Sequence, residues 1–324
     1  MKDIRWFAPN GYAALLVPEL QNRGVSIALE GSAPARLAFS MSATRALSAW
    51  RFARRHRCPL VLYIWDLPPK STGSGSYDPV IPVGQYLLRL PRLSGGFARR
   101  RGYYSRLRYI AARAQEVWVP SSMTGEVVRA RFGLYPHLVP YCYDSRRFCP
   151  APGPKESPPT LLTVGRLQAH KNHAATIRAA SRIGRRIQVR LIGRGPEQDR
   201  LARLARSLQV VCRIETAIDD AGVVQAYRQA SVAVCPSRFE GLGLTPIEAI
   251  ASGTPVVASA IPPHQEFLGS AARLVPLENE QAWAEQIAAA LDDGPPDPAT
   301  LSQLTIPTAV ERFLSRLRPL LQSL

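Results

Sequence analysis

The sequence contains few cysteines, and they are not spaced to bind a metal or to form a disulfide framework. Among 324 residues there are five, an odd number, and no two of them form a C-x-x-C pair. They are Cys58, Cys142, Cys149, Cys212 and Cys235. This usage argues against a disulfide-stapled or zinc-binding protein and is typical of a reducing compartment.

Long hydrophobic runs are also lacking. No stretch of eighteen apolar residues occurs, so the sequence predicts no membrane-spanning helix. The first residues lack the apolar core and the small-residue cleavage site of a signal peptide. A hydrophobic content of 46% still allows a sizeable core, and the length suggests two domains. We therefore expect a folded cytoplasmic protein, with peripheral attachment to the inner face of a membrane as the alternative.

Acidic residues are scarce in the first half of the chain. Residues 1–150 carry 22 Lys and Arg against 8 Asp and Glu, whereas the rest carries 19 against 16. Residues 79–115 contain no acid, and eight arginines there alternate with tyrosine, phenylalanine and leucine. These arginines are Arg89, Arg92, Arg99, Arg100, Arg101, Arg106, Arg108 and Arg113.

Basic residues mixed with aromatic and leucine side chains favour a surface for anionic lipid or for a lipid-linked phosphate. We therefore predict that residues 86–113 contact an anionic membrane surface or a lipid-linked acceptor. A nucleic acid would satisfy the same charge, but no nucleic-acid-binding motif is present and none is expected as partner. A solvated arginine-rich face without function is the remaining interpretation.

Strand and helix patterns alternate along the chain, which is typical of parallel α/β architecture. Five prolines in residues 150–159 exclude a helix or a central strand there. We predict an N-terminal doubly wound domain (1–150), a linker (151–159), a C-terminal doubly wound domain (160–300) and a helix crossing back to the first domain (301–324). The two doubly wound domains would face each other across a ligand-binding cleft.

A glycine-rich segment places two carboxylates, Glu240 and Glu248, on either side of a loop and a helix start. The preceding residues 231–235 have the pattern of a buried strand, so Gly241 and Gly243 lie in a strand-to-helix loop. Backbone amides in such a loop favour a phosphate, and a carboxylate in the first helical turn could accept hydrogen bonds from sugar hydroxyls.

A purely structural interpretation of the same residues is a capping box. Thr245 would be the N-cap, Pro246 would occupy the first helical position, and Glu248 would reach back to the N-cap amide. Both interpretations are compatible with this segment alone.

A second cluster follows the predicted strand 160–164. Gly165 lets the chain leave the strand tightly, while Arg166 and Lys171 bring two positive charges to the carboxyl edge of the same sheet. A diphosphate bound between the two loops would meet two cations and a helix N-terminus, which stabilise a leaving group as its charge grows. Exposed basic residues in an ordinary loop are the alternative.

These two signatures resemble the C-terminal domain of the retaining glycosyltransferases of family four, the glycosyl transferases group 1. The similarity is carried by G-R-x4-K-N at 165–172 and E-G-x-G-x4-E at 240–248, and by further stretches at 139–148, 191–196, 249–258 and 261–266. It is strong over residues 116–275 and weak before them.

The resemblance implies a GT-B fold with two Rossmann-like domains, an N-terminal acceptor-binding domain (1–150) and a C-terminal domain that binds a nucleotide sugar (160–300). It also implies a role for each motif residue. Arg166 and Lys171 would bind the donor diphosphate, Glu248 the ribose hydroxyls, and Glu240 the transferred sugar near its reacting carbon. Asp66 is a candidate substrate contact because Trp65-Asp66 stands where many members carry His-Asp. The other implied substrate-binding positions are Gly165, Gly193, Ala217, Gly241, Leu242, Gly243 and Leu244.

The implied activity is retaining transfer of a mannose- or glucose-type hexose from a nucleotide diphosphate sugar to a hydroxyl acceptor, a lipid-linked or polysaccharide precursor. Neither a metal nor a cofactor is implied, since the nucleotide sugar is a co-substrate. The departing diphosphate would help to take the acceptor's proton in a front-side displacement. Two alternatives are a basic nucleic-acid-binding α/β protein and a sugar-nucleotide epimerase of GT-B fold.

Overall fold

The computed structural model describes residues 1–7, 11–29, 33–43, 45–65, 67 and 96–323. The chain divides into two compact units, each built on its own sheet. The first comprises Met1–Tyr141 with Ala309–Leu324, and the second comprises Cys142–Thr308. No helix among the described residues is long and apolar enough to cross a membrane.

The first unit contains six parallel strands in the order β2-β1-β3-β4-β5-β6. They are β1 (Lys2–Phe7), β2 (Ile27–Ala28), β3 (Ala35–Ser40), β4 (Leu60–Tyr63), β5 (Glu116–Val119) and β6 (His137–Leu138). Its first four helices are α1 (Gly11–Asn22), α2 (Ala46–His56), α3 (Gly96–Ala111) and α4 (Ser122–Phe132).

Strand β3 is an element that the sequence pattern does not predict. Its sequence, ARLAFS, mixes alanine and serine with only two large apolar residues, and alanine is a weak strand former. Leu37 and Phe39 are nevertheless fully buried, because β3 lies between β1 and β4 inside the sheet. Tertiary packing therefore overrides local propensity here.

The second unit also contains six parallel strands, in the order β12-β11-β10-β7-β8-β9. They are β7 (Thr160–Val164), β8 (Gln188–Ile192), β9 (Cys212–Glu215), β10 (Val232–Cys235), β11 (Val256–Ser259) and β12 (Ala272–Val275). Its helices are α5 (His173–Ala180), α6 (Gln198–Ser207), α7 (Asp220–Gln229), α8 (Leu244–Ala251), α9 (Pro262–Phe267) and α10 (Glu280–Ala290).

This second strand order is that of a Rossmann sheet, in which the chain runs outward from β7 in one direction and then restarts at β10 in the other. Strands β7 and β10 are hydrogen-bonded neighbours, with Val232 beside Leu161. Their carboxyl ends therefore form the topological switch point, where ligands of open α/β sheets bind. The predicted architecture of two parallel-sheet α/β domains is confirmed.

Residues 150–159 contain neither helix nor strand. Glu156 attaches this segment to the edge of the second sheet through ion pairs with Arg190 (2.9 Å) and Arg213 (2.7 Å). Glu215 accepts from the same two arginines, at 2.8 and 2.9 Å. The segment is thus bound to β8 and β9 rather than merely connecting two elements.

The last helix, α11 (Ile306–Gln322), contributes its larger part to the first unit. Phe313 lies in an aromatic cluster with Phe39 and Trp118, at ring-centre distances of 6.1 and 5.3 Å. Arg316 pairs with Glu116 at 2.7 Å. Burial of aromatic surface and this ion pair attach the helix to β3 and β5.

Candidate active site

The candidate site lies at the carboxyl ends of β7 and β10 in the second unit. The loop after β7 carries Gly165, Arg166 and Lys171, and the loop after β10 carries Glu240 and leads into α8. Because the two strands are neighbours, the two predicted motifs are brought to one edge of the sheet.

The β7 loop is shaped by close contact with the loop after β8. Gly165 has φ +142°, and a Cβ atom on Gly193 would lie 1.9 Å from the carbonyl oxygen of Gly165. The amide of Leu167 donates to the carbonyl of Arg194 at 2.9 Å. Only glycine fits at position 193, so this residue has a structural role beside the predicted ligand contact.

Two buried histidines belong to the same loop and to the start of α5. The ring of His173 donates from Nε2 to the carbonyl of Arg166 at 3.0 Å, which anchors the backbone of this loop. Burial lowers the pKa of His170 to about 4 and that of His173 to about 4. Both rings are therefore neutral at pH 7. Lys171, which lies between the two histidines in the sequence, is the positively charged residue of this segment.

Lys171 and Glu240 form an ion pair across the switch point. Nζ of Lys171 lies 2.5 Å from Oε1 of Glu240, and the side chains are 16% and 14% exposed. Burial by itself would raise the pKa of Glu240, but the charge and hydrogen bond of Lys171 and a hydrogen bond from Ser237 hold it below its ordinary value. Glu240 is therefore ionised at neutral pH, and its partner is one of the predicted diphosphate ligands.

The capping-box prediction for Thr245 is wrong. Helix α8 begins at Leu244, one residue earlier, and the residue that precedes it is Gly243 with φ +88° and no side-chain cap. Thr245 and Pro246 are thus the second and third helical residues, and Glu248 lies in the second turn rather than the first. A left-handed glycine, which no capping pattern indicates, starts the helix.

Glu248 is largely buried and accepts a hydrogen bond from the hydroxyl of Tyr227 at 3.3 Å. Tyr227 is itself fixed, since the hydroxyl of Thr254 donates to its carbonyl at 2.6 Å. Burial raises the pKa of Glu248 to about 7, although the Tyr227 hydrogen bond opposes this effect. Glu248 therefore changes charge near neutral pH.

The remaining predicted residues are not all part of this cluster. The side chain of Arg166 is exposed, and that of Leu242 is buried, at 2% exposure. Ala217 is exposed in the loop after β9, the edge strand, away from the β7 and β10 loops in the sheet order. Gly241 precedes Leu242 in the same loop, and Asp66 lies outside the described residues.

In the basic stretch, Arg106, Arg108 and Arg113 are exposed on or just after α3. Arg89 and Arg92 lie outside the described residues. The described part of the stretch is thus an arginine-rich surface of the first unit.

Four polar residues near the site escape prediction from the sequence. Ser237, Ser259 and His264 are buried at 4%, 0% and 0% exposure, and Tyr227 contacts Glu248. Isolated serines and a tyrosine on different elements carry no spacing signal, and the resemblance at 261–266 comes with no implied role for His264. Only the fold brings them beside the two glutamates.

Several known proteins are similar to this chain in sequence or in fold. Residues 145–304 match the family "Glycosyl transferases group 1". D-inositol 3-phosphate glycosyltransferase 1 of Catenulispora acidiphila is 34% identical over 161 residues, which are 44% of this chain and 37% of that protein. Phosphatidyl-myo-inositol mannosyltransferase of Mycolicibacterium smegmatis is 32% identical over 165 residues, covering 48% of this chain and 42% of that protein. The chain thus spans less than half the length of these relatives.

Solved structures share the fold over most of the chain. HepE of Anabaena, crystallised with UDP-glucose, superposes with a TM-score of 0.67 at 15% identity and covers all of both chains. Sucrose-phosphate synthase of Thermosynechococcus elongatus gives 0.62 at 22% identity, covering 89% of this chain and 72% of that one. The two parallel-sheet units are those of the GT-B fold, and residues 145–304 form a domain of the group 1 glycosyl transferases.

Proposed function

We propose that this chain is a retaining glycosyltransferase that moves a hexose from a nucleotide diphosphate sugar to a hydroxyl acceptor. The observation that carries the proposal is the Lys171–Glu240 ion pair, which lies at the switch point of a Rossmann sheet. The loop that carries Glu240 leads directly into α8, the helix that carries Glu248. A cation for the diphosphate, a carboxylate for the sugar and a carboxylate for the ribose are thus grouped where ligands of such sheets bind.

Each charged residue has a distinct role in this proposal. Lys171 and the exposed Arg166 bind the diphosphate, whose negative charge grows as the bond to the sugar breaks. Glu240 accepts a hydrogen bond from a hydroxyl of the transferred sugar, and ionised Glu248 accepts from the ribose. Backbone amides of residues 241–244 contact sugar and phosphate.

The reaction is a front-side displacement at the anomeric carbon. The bond from this carbon to the diphosphate oxygen breaks, and a bond to the acceptor oxygen forms on the same face. The acceptor's proton passes to the departing diphosphate. Arg166 and Lys171 supply the positive charge that the leaving group needs, so the proposed reaction requires no metal.

The donor and the acceptor are proposed from the relatives. HepE was crystallised with UDP-glucose, and two curated relatives are named for glycosyl transfer to inositol phosphate and for mannosyl transfer to phosphatidyl-myo-inositol. We therefore favour a glucose- or mannose-type hexose and a lipid-linked or polysaccharide-precursor acceptor. The second unit would bind the donor, and the first would bind the acceptor.

The basic surface of the first unit supports a location at the inner face of a membrane. Residues 86–113 would contact anionic headgroups or the phosphate of a lipid-linked acceptor. The proposed location of the enzyme is therefore the cytoplasm, at the membrane surface.

A donor screen tests the function. Wild-type protein is incubated with UDP-glucose, UDP-galactose, GDP-mannose and ADP-glucose, and both the melting temperature and the sugar products are measured. A donor should raise the melting temperature by mass action and should be consumed. Lys171→Ala and Glu248→Ala should abolish transfer while the circular dichroism spectrum is unchanged, and Glu126→Ala, an exposed change on α4, should be fully active.

Two results contradict the proposal. Full transfer activity in both Lys171→Ala and Glu248→Ala would show that these two residues are not needed for sugar transfer. Release of an epimerised sugar nucleotide instead of a glycoside assigns the chain to the epimerases.

A further inference from the structure

A buried hydrogen-bond network next to the candidate site links the loop after β10, the end of β11 and helix α9. The hydroxyl of Ser259, the last residue of β11, donates to the carbonyl of Ser237 at 2.6 Å. Nδ1 of His264 in α9 donates to the carbonyl of Ser259 at 2.8 Å. All three residues are at most 4% exposed. We call these residues the Ser237–Ser259–His264 network.

The partner of Nδ1 defines the tautomer of His264. A backbone carbonyl can only accept, so Nδ1 carries the proton and Nε2 of the neutral ring carries a lone pair. In the described part of the chain this buried Nε2 has no hydrogen-bond partner. Burial lowers the pKa of His264, which keeps the ring neutral next to the ion pair of Glu240 and Lys171.

The opposite edge of the same ring contacts the loop that precedes α8. A Cβ atom built on Gly243 would lie 2.9 Å from both Cδ2 and Nε2 of His264. The imidazole therefore leaves room for a glycine only, and that glycine has the left-handed conformation that starts the helix. His264 thus fixes the point where the loop becomes α8.

The network also reaches Glu240 from the other side. The side chain of Ser237 helps to lower the pKa of Glu240, three residues further along the same loop, while its carbonyl accepts from Ser259. Contacts thus connect His264 to the loop of Glu240, through the serines, and to the start of the helix that carries Glu248.

We propose that His264 is a positioning residue, which holds Glu240 and the 241–243 loop in the geometry needed for sugar transfer without touching the donor. The inference rests on the proposed function. It assigns a role to a buried histidine that lies within the 261–266 stretch but is not among the residues with a role implied by the resemblance.

Substitutions that separate shape from hydrogen bonding test the proposal. His264→Phe keeps a planar ring beside Gly243 but removes the donor to Ser259. His264→Asn places an amide N–H close to the position of Nδ1. Since a misplacement of about 1 Å can reduce a rate about 100-fold, we expect His264→Phe to lower kcat by about 10- to 100-fold with the donor KM changed less than about 3-fold. His264→Asn should recover most of kcat.

Gln265→Ala is the matched control, because Gln265 is the exposed neighbour of His264 on α9. It should leave kcat and KM unchanged. Wild-type kcat in His264→Phe overturns the proposal. So does an increase in KM alone, since it would indicate direct contact with the donor, and so does equal loss in the Phe and Asn variants.

A measurement without donor separates this inference from the proposed function. Amide hydrogen exchange at Gly243 and Leu244 should be faster in His264→Phe than in wild type or in Gln265→Ala, because the loop has lost its anchor. If wild type transfers no sugar, the proposed function fails, yet faster exchange would still support the positioning role. Unchanged exchange overturns it.

Discussion

At the residue scale, the charge balance of the site depends on one ion pair. Glu240 is ionised because Lys171 lies 2.5 Å away, and removal of either partner would leave the other charge uncompensated in a mostly buried position. A diphosphate that binds Lys171 must therefore compete with Glu240 or share the ammonium group with it. The ion pair holds both side chains in place.

Glu248 gives a pH prediction with a definite sign. Its pKa rises from 4.5 in the unfolded chain to about 7 in the folded protein, so the folded state binds the proton more tightly. The stability from this proton is complete below pH 4.5 and is lost as the pH rises through about 7. Glu248→Gln removes this dependence, because the amide cannot ionise and still accepts from Tyr227.

The measurement is the melting temperature at pH 5, 6, 7 and 8. Wild type should lose stability relative to Glu248→Gln over this range, with the difference levelling off above about pH 7. Glu126→Gln should follow wild type at every pH, since Glu126 is exposed on α4. Parallel curves for wild type and Glu248→Gln would show that Glu248 is ionised throughout.

At the element scale, α8 begins after a left-handed glycine and not after a residue whose side chain caps the helix. A capping threonine is worth about 0.5–2 kcal/mol, whereas Thr245 makes no cap here. We predict that Thr245→Ala changes the free energy of unfolding by less than about 0.5 kcal/mol. Gly243→Ala should cost about 2 kcal/mol or more, because it combines a φ of +88° with a Cβ contact of 2.9 Å to His264.

Urea denaturation of both variants gives these free energies directly. A larger loss in Thr245→Ala than in Gly243→Ala would restore the capping box and contradict the structure of this helix start.

The same elements show what a sequence can predict. The sequence predicts strand β7 with its observed limits, Thr160–Val164, because its apolar run ends at a glycine. Strand β3 and the left-handed start of α8 were not predicted, since one depends on neighbours in the sheet and the other on the ring of His264. The motif residues Lys171 and Glu240 could be predicted as site candidates, but their ion pair could not.

At the scale of the whole molecule, charge is divided unevenly along the chain. Residues 1–150 carry 22 Lys and Arg against 8 Asp and Glu, and the exposed arginines of the described part include Arg106, Arg108 and Arg113. The alternating strands and helices could be predicted to form two sheets, because each pattern is local. The identity of the partner that matches the basic surface could not, since lipid and nucleic acid satisfy the same charge.

Binding to lipid vesicles tests the membrane contact. Vesicles with phosphatidylserine should bind the protein at 0.05 M salt and release it as salt rises, whereas phosphatidylcholine vesicles should not bind it. Each arginine near an anionic surface contributes about 1 kcal/mol, so replacement of Arg106, Arg108 and Arg113 by Ala should weaken binding about 100-fold. Replacement of Arg200, Arg203 and Arg206 on α6 is the control with equal charge loss. Equal weakening by both triple variants would show that net charge, and not this surface, is responsible.

The most direct test of the whole account is the anomeric configuration of the product. With a donor found in the screen, proton NMR of the new glycosidic bond should show the same anomeric configuration as the donor sugar, since the acceptor attacks the face from which the diphosphate leaves. An inverted product would contradict the front-side mechanism and the roles assigned to Lys171 and Glu240.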